Sequence, residues 1–172
     1  MAQSSDVSPS GPVVSNTTPL ISLGEIGLLK IAHTLYGDIW IPEAVYSEYQ
    51  AGLPVHKQRP SLDTYSWIAV HAISTDPAVP ATLDAGEAEA IALARASGAR
   101  LILIDEQRGR AAGKRLGLVV AGSIAVLLNE KARTLIPLVR PYLDQMIAQG
   151  RRIGPRLYRE ALTLANEEDT SP

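Results

Sequence analysis

The chain has 172 residues, 46% apolar and 20% charged, a balance that excludes wholesale disorder and fits one domain with a sizeable core. Its net charge is −2, so any nucleic-acid binding must rest on local basic patches or metal rather than a global positive field. The absence of cysteine excludes disulfides, thiol nucleophiles and cysteine zinc sites.

Residues 1–12, MAQSSDVSPSGP, lack the basic start and apolar stretch of a signal peptide. They read as a disordered leader before a single domain over 13–167, with 168–172 as a tail. The apolar run 116–128 is interrupted by Gly117, Gly122 and Ser123 and is too short to span a bilayer. A soluble, cytoplasmic protein is expected.

In chain order, residues 12–16 form a short apolar strand stopped by a polar cluster. Asn16, Thr17 and Thr18 suit a helix cap, and Pro19 its first turn. Leu20 to Ile31 forms one or two short helices broken at Gly24 and Gly27. Ile39-Trp40-Ile41 is a second strand, and Pro42 opens a helix that stops at Gly52. The stretch 53–65 has no clear pattern, and Trp67 to Ile73 alternates as a strand.

Asp84 and Glu87 have capping-box spacing before an alanine-rich helix that ends at Gly98. Leu101 to Ile104 is a wholly apolar strand ending on Asp105, as in a parallel strand buried on both faces. Helix then runs to Gly117, and Leu118 to Ala121 is a further buried strand. Three closing helices follow, over 124–135, 137–149 and 155–167. Strand–helix alternation predicts an α/β fold, a three-layer α/β/α sandwich with a central, mostly parallel sheet. Ligands in such sheets sit at the carboxyl ends of the strands, where Asn16 and Asp105 both fall.

Four positions carry candidate chemistry: Asn16 after the first strand, Glu48 on a helix, Glu87 in a first turn, and Asp105 after a central strand. Each has a structural alternative. Glu87 serves the capping box, Glu48 is a solvated helix charge, and Asp105 and Asn16 cap the helices they precede. As a set they point to a cation, because carboxylates sharing a site repel one another. All-oxygen ligands suit Mg²⁺ or Mn²⁺.

Read together, VVSNTTPLI, IPEAVYSE, LDAGEAEAIALARASGARLILID and the glycine-punctuated helix after them resemble a PIN domain, most closely the bacterial VapC-like group. The resemblance runs from residue 13 to about 130. It implies an Mg²⁺- or Mn²⁺-dependent endoribonuclease, the toxin of a toxin–antitoxin pair, with RNA as substrate, a small antitoxin as partner and a homodimer as its assembly. It also implies metal ligation by Asn16, Glu48, Glu87, Asp105 and Glu106, with Glu48, Glu87 and Asp105 catalytic.

One position departs from the family pattern, which has Asp where this chain has Asn16. An amide oxygen still coordinates a metal, but a negative charge is lost, so weaker metal binding follows. The departure keeps open a second reading, a PIN-like module that binds RNA or protein with weakened or lost nuclease activity.

The helix after Asp105 carries Arg108, Arg110, Lys114 and Arg115. Positions 108 and 115 share one face, and 110 and 114 another. Either this is a solvated basic helix or one face holds substrate phosphates, with Thr17 beside Asn16 as a further substrate contact. Arg151, Arg152, Arg156 and Arg159 pose the same choice. His33, His56 and His71 lack ligand spacing, Tyr142 and Tyr158 read as packing residues, and no phosphate-binding glycine motif follows a strand.

Overall fold

In a computed structural model, residues 10–55 and 58–168 are described; residues 1–9 of the 1–12 leader, His56 and Lys57, and residues 169–172 of the 168–172 tail lie outside them. Five strands form one sheet: β1 (Val13–Ser15), β2 (Ile39–Pro42), β3 (Ile68–His71), β4 (Leu101–Leu103) and β5 (Val120–Ala121). Their order is β3-β2-β1-β4-β5, and every pairing is parallel. The helices are α1 (Thr17–Glu25), α2 (Leu29–Tyr36), α3 (Glu43–Gly52), α4 (Ala85–Ala96), α5 (Gln107–Arg115), α6 (Ser123–Ala132), α7 (Arg140–Ala148) and α8 (Pro155–Leu164).

Parallel strands need crossovers, and helices supply them. Helix α4 packs on β1, β2 and β4 and touches α3 and α5, while α6 groups with α1, α2 and α8. The result is the expected three-layer α/β/α sandwich. Val13, Val14, Ile39, Ile41, Ile102 and Leu103 are buried in the central strands. That burial on both faces explains why these strands read as continuous apolar runs rather than alternating ones.

Several element ends are shorter than the sequence predicts. The 137–149 helix begins only at Arg140, β5 keeps two residues, and the last helix stops at Leu164. In the unpatterned stretch, Leu62–Thr64 forms a short 3-10 helix. Arg59 there is 8% exposed and pairs with Glu25 at 3.1 Å. Among the described residues, no helix is long and apolar enough to cross a membrane.

The topology fixes where a ligand can sit. From β1 the chain moves to β2 and β3 on one side, then crosses to β4 and β5 on the other. β1 and β4 are therefore the neighbours at which the winding reverses, and in such sheets ligands bind beyond the carboxyl ends of these strands. Asn16 leaves β1 there, its backbone N–H bonded to Leu103 O at 2.9 Å, and Asp105 and Glu106 follow β4.

Candidate active site

Asn16 occupies the cap position of α1 but makes no side-chain cap bond. Its Nδ2 donates instead to Glu106 Oε2 at 3.2 Å, which leaves Oδ1 buried and without a partner. A buried polar atom without a partner costs free energy, so this oxygen marks a place where a ligand would be favourable.

Glu48 approaches the same oxygen from α3. A methyl group on Gly86 would stand 3.0 Å from Glu48 Oε2 and 3.2 Å from Asn16 Oδ1, so the missing side chain leaves open the space these oxygens face. Thr17 Oγ1 donates to Glu48 Oε2 at 2.6 Å, and Thr18 Oγ1 donates to Glu106 Oε1. Two adjacent hydroxyls thus orient two carboxylates from different elements. Thr17 is 2% exposed, which makes it a support for Glu48 rather than a surface for substrate.

Glu87 serves two purposes. It completes the capping box, accepting from Asp84 N at 3.4 Å while Glu87 N donates to Asp84 Oδ1 at 2.7 Å. Its Oε1 reaches Gly109, where a Cβ would stand only 2.7 Å away, so glycine is required for the close approach of α5. Burial pushes the Glu87 carboxyl up, and the charges of Asp84 and Glu106 add to it. Glu106 is thus near enough for its charge to act on Glu87.

Asp105 points elsewhere. Its Oδ1 accepts from Ser123 N at 2.6 Å and its Oδ2 from Ser123 Oγ at 2.5 Å, so it caps the start of α6. Burial raises its proton affinity despite those two bonds, Glu106 adds to the rise, and Arg151 opposes it. The acid meeting Asn16 directly after β4 is Glu106, not Asp105.

The metal test follows from these positions. Among the described residues no three His, Cys, Asp or Glu side chains form a ready-made metal group. The converging donors are instead an amide oxygen and the Glu48 carboxylate, with Glu106 on the other arm of the same amide. This all-oxygen set, with one orphaned buried member, fits a hard divalent cation.

On the basic helix, Arg108 and Arg115 share a side, as their spacing predicts. Arg108 and Arg115 line a hollow with Pro80, Thr82 and Leu83, and Arg108 Nη2 donates to Thr82 O at 3.3 Å. Arg110 lies on the other side, where a Cβ at Gly122 would stand 2.8 Å from Asp105 Oδ1 and 3.5 Å from Arg110 Nη1. Lys114 is exposed. Glu89, two residues beyond Glu87, accepts from Ala44 N at 3.0 Å and so caps α3.

Thr18 and Ser123 escape a motif search because hydroxyls flanking a helix start look like ordinary caps. Ser123 nevertheless follows a parallel strand at the same sheet edge as Asn16, a usable signal. His71 stacks on Trp40 with ring centroids 4.0 Å apart, and His33 stacks on Trp67 at 4.5 Å, which agrees with structural roles. Tyr158 is half-buried on α8 and donates to Asp144 Oδ1 at 2.6 Å.

Comparison with curated proteins and with solved structures gave no match. A family model described as a PIN domain matches residues 12–167. PIN domains are generally nucleases that use divalent metals, and PIN nucleases act on RNA. With nearly the whole chain matched and the parallel sheet order described above, this chain belongs to the PIN-domain family.

Proposed function

We propose that the protein is a metal-dependent endoribonuclease, and that it is the toxin of a cytoplasmic toxin–antitoxin pair. The single observation that carries the nuclease reading is the orphaned Asn16 Oδ1 facing Glu48 at the switch point of a PIN-type sheet.

Asn16 and Glu48 would hold Mg²⁺ or Mn²⁺, with Glu87, Glu106 and Asp105 around them. Such an ion, when bound, activates water and offsets the charge developing on a phosphodiester. Thr17 and Thr18 fix the carboxylates of Glu48 and Glu106. The raised proton affinity of Glu87 suits a group that exchanges a proton with the water or the leaving oxygen. Arg108, Arg110, Lys114 and Arg115 supply positive charge along α5 for phosphates on either side. Exposed Leu138 and Ile147, around α7, support a docking surface for a small antitoxin.

The test is RNA cleavage by purified protein with Mg²⁺, Mn²⁺ or EDTA. Cleavage is expected with metal and none with EDTA. Glu106→Gln and Asp105→Asn should each lower it at least a hundredfold while the protein stays folded. Cleavage that persists in EDTA removes the metal mechanism. Expression without a partner should arrest growth with loss of RNA; unaffected growth removes the toxin role.

A second reading is favoured by one observation. The Asn16 amide occupies Glu106 as a hydrogen-bond donor, where a third acid would have added charge. This supports a binding module with weakened chemistry, and RNA binding without cleavage would establish it.

A further inference from the structure

Helix α3 carries Glu48 to the candidate site, yet it does not cap its own start. Its cap position is Pro42, which has no side-chain acceptor and makes no cap bond. The first N–H groups of a helix need acceptors from outside it. Here one comes from another helix: Glu89 Oε2, half-buried on α4, accepts the Ala44 N–H at 3.0 Å.

A second contact between the same helices lies one turn along. Gly86 precedes Glu89 by three residues on α4, and Glu48 follows Ala44 by four on α3, so each pair shares a face of its helix. A Cβ at Gly86 would stand 3.0 Å from Glu48 Oε2. The helices thus meet in two antiparallel rungs, Glu89 with Ala44 and Gly86 with Glu48. The first rung holds the backbone of α3, and the second is at the site.

Thr17 Oγ1 orients the Glu48 carboxylate, but it does not set how far α3 slides along α4. That position matters for a cation with strict geometry. A slip by part of the roughly 1.5 Å helical rise per residue changes the spacing between Glu48 and Asn16 Oδ1.

We propose that Glu89 is a positioning residue for the cation site: by holding Ala44 N it keeps the Glu48 carboxylate opposite Asn16 Oδ1. The inference rests on the metal-dependent reading and adds to it a residue outside the donor set. A plain cap would stabilise α3 and leave metal affinity alone.

Mn²⁺ affinity of the full chain, read by electron paramagnetic resonance without RNA, separates these roles. Glu89→Ala should weaken Mn²⁺ binding about tenfold. Glu89→Gln keeps an acceptor oxygen and should stay within about threefold of the parent. Glu89→Asp keeps the charge but loses one methylene of reach, so it should weaken binding at least threefold even where the alanine variant does not fold. Arg95→Gln breaks the ion pair of Arg95 with Asp76 at the far end of α4 and should leave the affinity unchanged. In a Glu48→Ala background the Glu89→Ala loss should shrink below about twofold, because nothing is left to position.

Undiminished affinity in Glu89→Ala and Glu89→Asp, an equal loss in Glu89→Gln, or the same loss without Glu48 would overturn the positioning role while the metal site stands. If the parent itself binds no Mn²⁺, the metal-dependent reading falls, and Glu89 is a cap of α3 and nothing more.

Discussion

Asn16 donates its side-chain amide to Glu106 across 3.2 Å, joining the ends of β1 and β4 by a neutral group where two acids would repel. The same geometry leaves its oxygen free toward Glu48. Asn16 thus stabilises the empty site and still offers a ligand.

Asn16→Asp tests both halves of that statement. It removes the donor to Glu106 and sets a third charge among carboxylates. A unit charge about 4 Å away at an effective dielectric of about 20 is worth roughly 4 kcal/mol of gross interaction, partly offset by solvation. The metal-free melting temperature should fall, and Mn²⁺ affinity should rise about tenfold, which is roughly 1.4 kcal/mol. Calorimetric titration and melting with and without metal measure this. Unchanged values in both would mean that position 16 does not face the acids.

Gly86→Ala asks whether the space at the start of α4 holds the cation. Alanine is the better helix former by about 1 kcal/mol, so metal-free stability should hold or rise. Its methyl group would enter 3.0 Å from Glu48 Oε2 and 3.2 Å from Asn16 Oδ1. Mn²⁺ affinity and cleavage should both drop about tenfold. Undiminished affinity by titration would place the metal elsewhere.

Glu130 predicts a pH effect remote from the site. It is 0% exposed on α6, neither carboxyl oxygen has a partner, and burial pushes it up to about 8. The folded chain therefore keeps a proton that the unfolded chain releases near pH 4.5. Its contribution to stability is full below that value and is lost as pH rises toward 8, by about 1.4 kcal/mol per unit within the window. Glu130→Gln removes the titration, so its stability relative to the parent should climb between pH 5 and 8 and level off above. Denaturant midpoints across pH give the answer. A difference independent of pH would show that the carboxyl stays ionised in the fold.

Periodicity and composition carried the architecture. Leu101 to Ile104 is apolar at every position because β4 is covered on both faces, and Asp84 with Glu87 announces the cap of α4 because that bond is local. The motif order VVSNTTPLI, IPEAVYSE and LDAGEAEAIALARASGARLILID likewise leads to the PIN family, since each piece is tied to one strand end or helix start. Glu48 and Asn16 could be named from sequence for the same reason.

The contacts among those residues are another matter. Asp105 and Glu106 are neighbours in sequence, yet one turns to Ser123 and the other to Asn16 and Thr18. Sequence spacing cannot separate them, because consecutive residues leaving a strand point in directions set by what packs on either side. Arg151 reaches the acids only because the α7–α8 connection folds back and Glu25 holds it. By itself the sequence determined the elements, their order and the family, all encoded within short windows by burial period and capping. The tertiary structure alone decided which oxygens face one another, because that depends on side chains brought together from β1, α3, α4 and β4 across long loops.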